Sequence, residues 1–167
     1  MGDSKALAAL VLAASCLSCA YLPAPVDQYF RKPGVQLGEF PEKVADEYQC
    51  QNQKLPWFKL EKLEVWPKRL HAGEELGHRL VYALCMDGAT DVVSGKLDTR
   101  IVYRGKPIMS DSDTKYELRP GRWIVDVFVT VPPVAAEGLY ALELEYKSAS
   151  VRFKDSRTFV VEPPKPK

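Results

Sequence analysis

Histidine is scarce in this chain, where only His71 and His78 occur among 167 residues. Neither belongs to an H-x-x-x-H pair, and the sequence also lacks a double C-x-x-C pair, a G-x-S-x-G motif and a glycine-rich phosphate loop. The absence of these motifs argues against zinc-dependent hydrolases, α/β-hydrolases and P-loop nucleotide-binding proteins. We therefore predict no catalytic residue, no metal site and no other cofactor, so the protein is not expected to be an enzyme. Both histidines are interpreted as surface residues, with His78 on a polar-facing part of a strand.

The chain also lacks an excess of either basic or acidic residues. The chain has 23 basic and 22 acidic residues, a formal net charge of +1, and no long run of one sign. Nucleic-acid binding needs a clustered basic face. We therefore predict no nucleic-acid partner.

The acidic residues do not form a predicted site. Asp111-Ser112-Asp113 is similar to the first positions of a calcium-binding loop, but the third acid, the glycine and the distal glutamate of such a loop are absent. We interpret this stretch as a solvated loop inside a weak strand from Ile108 to Leu118. Glu143 and Glu145 stand two residues apart on one strand face, which is typical of a charged outer surface.

No hydrophobic run near the N-terminus is long enough to span a bilayer, because the apolar run there covers only residues 6–14. It follows Lys5 and leads into small residues, which is the order of an export signal over residues 1–20. The stretch resembles a bacterial lipoprotein signal, in which a signal peptidase cuts before a cysteine that is then diacylated. Ala13-Ala14-Ser15-Cys16 and Cys16-Leu17-Ser18-Cys19 both match loosely, so the resemblance implies lipidation at Cys16 or Cys19. Ordinary cleavage after Ala20 also fits.

Cysteine is limited to four residues, and export decides how the last two are interpreted. An oxidising compartment allows a disulfide between Cys50 and Cys85. Cys85 is out of phase with the apolar face of its strand, so we expect it to point away from the core, towards the N-terminal extension that carries Cys50. A cut near Cys19 leaves these two as an even pair, whereas the lipoprotein pattern favours Cys16, and the two arguments conflict.

The chain divides into four segments. Residues 1–20 form the predicted signal, and residues 21–56 form a proline-interrupted tether and an irregular extension. In that extension we predict a loop over Gly34–Gly38 and a short helix over Pro41–Tyr48, with the proline at the first helical position. Residues 57–162 form the predicted globular domain, and residues 163–167 are a disordered tail.

Alternating apolar residues predict strands throughout the domain, because side chains alternate between faces along a strand. About seven strands are expected, with a bulge near Glu61–Lys62. The central pair is Trp123–Val131 followed by Tyr140–Tyr146. The predicted core includes five residues of this pair: Val127, Val129, Tyr140, Leu142 and Leu144.

The turn between the central strands carries a second resemblance. Gly138-Leu139-Tyr140-Ala141-Leu142 is similar to the G-x-Y-x-φ corner of immunoglobulin-like and fibronectin-type-III-like sandwiches, although Leu142 stands where an immunoglobulin domain has its second intersheet cysteine. The resemblance implies an all-β fold, a seven-stranded immunoglobulin-like β-sandwich. It also implies that Gly138 and Tyr140 form a structural corner, in which the tyrosine hydroxyl bonds to an upstream backbone group.

These features together lead to one functional expectation and one alternative. We expect an exported cell-envelope lipoprotein, anchored to the outer membrane by lipid, that binds a protein or polymer partner as an assembly, scaffold or adhesion module without turnover. The alternative is a secreted or periplasmic carbohydrate- or peptide-binding module, in which tryptophans could act as stacking platforms.

Overall fold

The computed structural model describes residues 31–164. In this part of the chain the elements, in order, are β1 (Gly34–Glu39), α1 (Pro41–Tyr48), a 3₁₀ turn (Cys50–Asn52), β2 (Trp57–Trp66), β3 (Arg69–His71), β4 (Glu75–Cys85), β5 (Val93–Tyr103), β6 (Lys106–Leu118), β7 (Gly121–Thr130), β8 (Gly138–Lys147) and β9 (Arg152–Glu162).

The strands form two sheets packed face to face, so the predicted all-β sandwich is confirmed. Sheet A has the order β1-β7-β4-β2, and sheet B has the order β3-β9-β8-β5-β6. Every neighbouring pair is antiparallel except β3 and β9, which run parallel. The described residues contain nine strands rather than seven, because the sequence prediction missed the short strands β1 and β3.

The loop predicted over Gly34–Gly38 is wrong, because these residues belong to β1. Their backbone pairs with β7, from Gly34 opposite Asp126 to Leu37 opposite Trp123. Val35 and Leu37 alternate with polar neighbours, but their side chains stay partly exposed, so apolar periodicity is weak in this edge strand. Pairing with β7, not burial of side chains, fixes the segment.

The predicted bulge is present in β2, where the register against β4 shifts between Leu60 and Lys62. The extra residue changes the phase of the strand, so Leu60 before the bulge and Leu63 after it both face sheet B. Leu63 is 3% exposed. Without the shift, the second half of β2 would turn its apolar residues towards solvent.

The core prediction holds for β8 and fails for one residue of β7. Tyr140, Leu142 and Leu144 are buried, with relative exposures of 2%, 0% and 1%, and Val129 packs against the same core. Val127 faces the space between the sheets but is 37% exposed. The reason is that β1 pairs with β7 only as far as Asp126, which leaves the edge of sheet A uncovered beside Val127.

The corner before β8 has the hydrogen bond that the resemblance implies. The Tyr140 hydroxyl donates to the Ala136 carbonyl at 2.6 Å, and the Tyr140 ring stacks on Tyr103 with 4.4 Å between centroids. Gly138 has φ of +145°, and a Cβ on it would come within 3.0 Å of the Tyr103 ring. Glycine is therefore required here both by backbone conformation and by the close approach of the ring.

Helix α1 has the predicted bounds and lies against the outer face of sheet A. Val44 is fully buried in a small cluster with Ala83 and the two cysteines. Cys50 and Cys85 form the predicted disulfide, with 6.0 Å between their Cα atoms. The bond therefore connects the extension to β4 on the side away from the core, as the outward phase of Cys85 predicts.

Candidate functional site

The outer face of sheet B is a ladder of paired charges. Arg100 contacts Glu145 at 2.8 Å and Glu143 at 3.7 Å. Lys147 and Lys154 contact the same two carboxylates from the flanking positions, at 2.6 and 3.6 Å. This agrees with the interpretation of Glu143 and Glu145 as a charged outer surface. Because these charged groups pair with one another, few of them are available to bind a ligand.

The outer face of sheet A is covered by the N-terminal extension. Arg31 pairs with Glu64, and its guanidinium lies 4.6 Å from the centre of the Trp66 ring. The Trp66 indole in turn packs on Gly77, where a Cβ would come within 2.4 Å of the ring. Residues from the extension thus reach both ends of this face.

A network of charged residues holds the C-terminal end of helix α1 against β2 and β7. The Arg122 guanidinium donates to Glu61 at 2.7 Å and to Glu47 at 2.8 Å, and the Tyr48 hydroxyl donates to Glu61 at 2.7 Å. Burial alone would raise the pKa of Glu61, but the hydrogen bonds from Arg122 and Tyr48 lower it. The network therefore favours an ionised glutamate that keeps the helix in place.

The side of the sandwich between β6 and the β1–β7 edge remains open. Two rows of inward-facing residues lead to it. In sheet A, Val65 pairs with His78 and His78 with Val127; in sheet B, Leu144 pairs with Thr99 and Thr99 with Asp111. The row in sheet A passes through the polar His78 and ends at Val127. The row in sheet B passes through Thr99 and ends at the acidic Asp111.

A cleft of about 160 Å³ opens where these rows end. We call it the inner cleft, and its lining consists of His78, Leu80, Leu97, Thr99, Asp111, Asp113, Tyr116, Val125, Val127 and Leu144. The position of the cleft follows from the fold, because β1 stops short of Val127 and β6 presents carboxylates where an apolar side chain would close the gap.

His78 and Thr99 are both buried polar residues that line the cleft, so the interpretation of His78 as a surface residue is wrong. Its relative exposure is 3%. Its Nδ1 atom is buried and has no hydrogen-bond partner within residues 31–164. Burial lowers the pKa of His78 to about 4, although the nearby Asp126 carboxylate acts in the opposite direction. The imidazole is therefore neutral at physiological pH.

Asp111 and Asp113 stand at the mouth of the cleft, on a strand and not in the predicted solvated loop. They pair with Thr99 and Leu97 respectively and share the inward face of β6 with Tyr116. Both remain exposed. Burial and then Asp113 raise the pKa of the Tyr116 phenol to about 12, so the tyrosine stays neutral and the two carboxylates set the charge at the mouth.

The structure places the predicted site residues in separate regions. Cys16 and Cys19 lie outside the described residues. The Cys50–Cys85 disulfide is on the outer face of sheet A, and Gly138 begins β8 in the corner of Tyr140. None of the four described residues of this set lines the inner cleft. The cleft was not predicted from the sequence.

One signal in the sequence could have indicated the cleft. His78 is in phase with Leu76 and Leu80, the apolar face of its own strand. The phase of the aspartates was harder to read, since the pairing of β5 with β6 shifts between Gly95 and Leu97. That irregularity separates Asp113 from Tyr116 by three residues although both face inward.

No protein-family model and no curated protein sequence matches this chain. Solved structures that are similar in fold include a cycloisomaltooligosaccharide glucanotransferase from a Paenibacillus species, with 13% identity, a TM-score of 0.49, and coverage of 64% of this chain and 14% of that one. A sporulation control protein from Bacillus subtilis has 15% identity and a TM-score of 0.46, over 64% and 50% of the two chains.

A family 123 glycoside hydrolase from Clostridium perfringens is similar at 12% identity and a TM-score of 0.43, over 78% of this chain and 27% of that one. The chain thus spans between 14% and 50% of the lengths of these three proteins. At such identities and TM-scores the likenesses carry no inference about activity.

Proposed function

We propose that this protein is an exported, lipid-anchored module of a bacterial cell envelope that binds a protein or polymer partner without turnover. In this proposal Cys16 or Cys19 carries the lipid, and residues 21–30 begin the tether. The domain acts as an assembly, scaffold or adhesion module at the outer membrane.

The observation that carries the proposal is the Cys50–Cys85 disulfide. Disulfides persist in oxidising compartments outside the cytoplasm, which fits the signal-like order of residues 1–20. The bond also connects the extension to the domain, so the tether would be attached to the sandwich on the side of sheet A. Within residues 31–164, no helix is both long enough and apolar enough to cross a membrane.

We also propose that the sandwich is of the immunoglobulin-like type. The Tyr140 to Ala136 hydrogen bond supports this, since a tyrosine corner is a mark of that class. The chain also crosses repeatedly between sheets, from β4 to β5, from β6 to β7 and from β7 to β8. Such crossings are the Greek-key connections of these sandwiches.

Mass spectrometry of the mature N-terminus, combined with detergent fractionation, tests the anchor. We expect a diacylated cysteine at position 16 or 19 and partition into the detergent phase, because each buried methylene contributes about 0.8 kcal/mol and a lipoprotein carries more than one acyl chain. Cys16→Ser and Cys19→Ser, made separately, identify which cysteine is modified. An unmodified N-terminus at Tyr21 with a freely soluble protein would contradict the anchor and favour the secreted alternative.

A further inference from the structure

The size of the inner cleft suits one small chemical group. Its volume is about 160 Å³, whereas clefts that enclose whole drug-sized ligands are about 300–1,000 Å³. A group the size of one amino-acid side chain fits this space. A saccharide chain or a nucleotide does not.

The charge at the mouth selects a cation. Within residues 31–164, neither Asp111 nor Asp113 forms an ion pair with a lysine or arginine side chain, although Asp113 accepts the backbone N–H of Lys115 at 2.9 Å. Two carboxylates side by side would repel an anion and leave a neutral group without a charge partner. A positive group is therefore favoured.

The interior of the cleft selects a hydrogen-bond donor on that cation. His78 Nδ1 is buried without a partner in the described part of the chain, and a neutral imidazole has one nitrogen that accepts a hydrogen bond. Between residues 31 and 164, no three His, Cys, Asp or Glu side chains are grouped so as to hold a metal ion. An organic cation with N–H groups meets both conditions.

We propose that the inner cleft binds a primary alkylammonium group. The ammonium donates to the carboxylates of Asp111 and Asp113 and, after a rotation of the imidazole that brings its buried Nδ1 atom to the cleft wall, to His78, while the alkyl stem packs against Val125 and Val127. A methylene chain gains from apolar contact with these walls, which a bare inorganic cation cannot make. This inference goes beyond the proposed function and does not depend on lipidation.

The same chemistry has two sources, the side chain of a lysine on a partner protein or a free aliphatic amine. Both present an ammonium at the end of a flexible alkyl stem. Blocked lysine, N-acetyl-lysine-N-methylamide, represents the first source, and 1,5-diaminopentane represents the second. Saturable binding of either probe at His78 supports the proposal, and the tighter of the two identifies the source.

NMR titration of the disulfide-bonded protein tests the proposal. With n-butylammonium chloride as the probe, we expect saturable shifts of the His78 imidazole and Val127 methyl signals, with a dissociation constant on the order of 1 mM. n-Butanol has the same stem without the charge and should bind at least about tenfold more weakly, because it loses the interaction with both carboxylates.

Matched variants separate the cleft from general charge effects. Asp111→Asn and Asp113→Asn should each weaken butylammonium binding by about tenfold, the loss expected for one charged hydrogen bond. Asp98→Asn should leave it unchanged, because Asp98 lies on the outer face of the same sheet, where it pairs with Lys96. The wild-type titration decides even if a variant fails to fold. Absence of a saturable shift at His78, or equal binding of butanol, would overturn the proposal.

Discussion

At the scale of single residues, His78 combines a chemical role with a structural cost. Its imidazole occupies an inward position of β4, next to Val65 and Val127 in the neighbouring strands. A leucine there would extend the apolar core. The histidine instead brings a titratable group into the interior, so the stability of the fold becomes dependent on the protonation of this ring.

We expect the free energy of unfolding to fall as the pH decreases through the range set by His78. Its pKa is about 4 in the folded protein, against an ordinary value of 6.5, so below pH 6.5 the unfolded chain takes up a proton that the folded protein does not. The loss should reach about 3 kcal/mol near pH 4. Urea denaturation of the wild type and His78→Gln at several pH values measures it. An equal pH dependence in both proteins would contradict the assignment.

Leu142 and Glu143 are adjacent residues on opposite faces of β8 and should respond differently to truncation. Leu142 is fully buried, and Leu142→Ala should cost about 2–5 kcal/mol through lost contacts and a residual cavity. Glu143 takes part in surface ion pairs of 3.7 and 3.6 Å, so Glu143→Ala should cost less than about 1 kcal/mol. Chemical denaturation measures both, and similar losses would show that the face assignment is wrong.

At the scale of elements, the disulfide should control the stability of α1. The helix has only 8 residues, too few to be stable without packing. Closing a loop of 35 residues contributes about 3–4 kcal/mol in the chain-entropy model. We expect the double variant with Cys50→Ala and Cys85→Ala to lose about this much free energy of unfolding. We also expect the backbone amides of α1 to exchange hydrogen faster in this variant.

Hydrogen exchange monitored by mass spectrometry checks this at the level of the element. Peptides from β8, at the centre of sheet B, should exchange faster in the variant only as far as the loss of global stability allows, because core amides exchange through global unfolding. Peptides from α1 should accelerate more than this, because the helix can then also detach locally. Equal acceleration of α1 and β8 would instead mean that the disulfide stabilises the whole fold and not the helix in particular.

The individual strands show which parts of the fold can be predicted from local sequence patterns. The longer strands are predictable because their apolar residues alternate and become buried, as in β8. β1 was missed because its stability comes from backbone pairing with β7, which is not visible in local sequence. β3 was missed because its three residues are too few to show alternation, although Leu70 is buried in the core. The disulfide was predictable because the phase of Cys85 could be read from its neighbours.

At the scale of the whole molecule, the sandwich was predictable and the cleft was not. The fold is determined by alternating apolar residues in many strands, which all indicate the same sandwich. The cleft is determined by where the pairing of one edge strand stops. That the pairing of β1 reaches only to Asp126 is a property of contact between distant segments. The exposure of Val127 and the role of Asp111 follow from it, and no local pattern encodes either.

The disulfide also determines how the molecule responds to mechanical tension. A pull between the two ends would pass from Cys50 directly to Cys85, bypassing β2, β3 and all of β4 before its last residue. The 35-residue separation corresponds to about 120 Å of extended chain, and this length stays locked while the bond is intact. Single-molecule stretching should therefore give a contour length about 120 Å shorter in the oxidised protein than in the reduced one. A protein that is anchored at one end and bound to a moving partner at the other would therefore extend less under tension while the disulfide is intact.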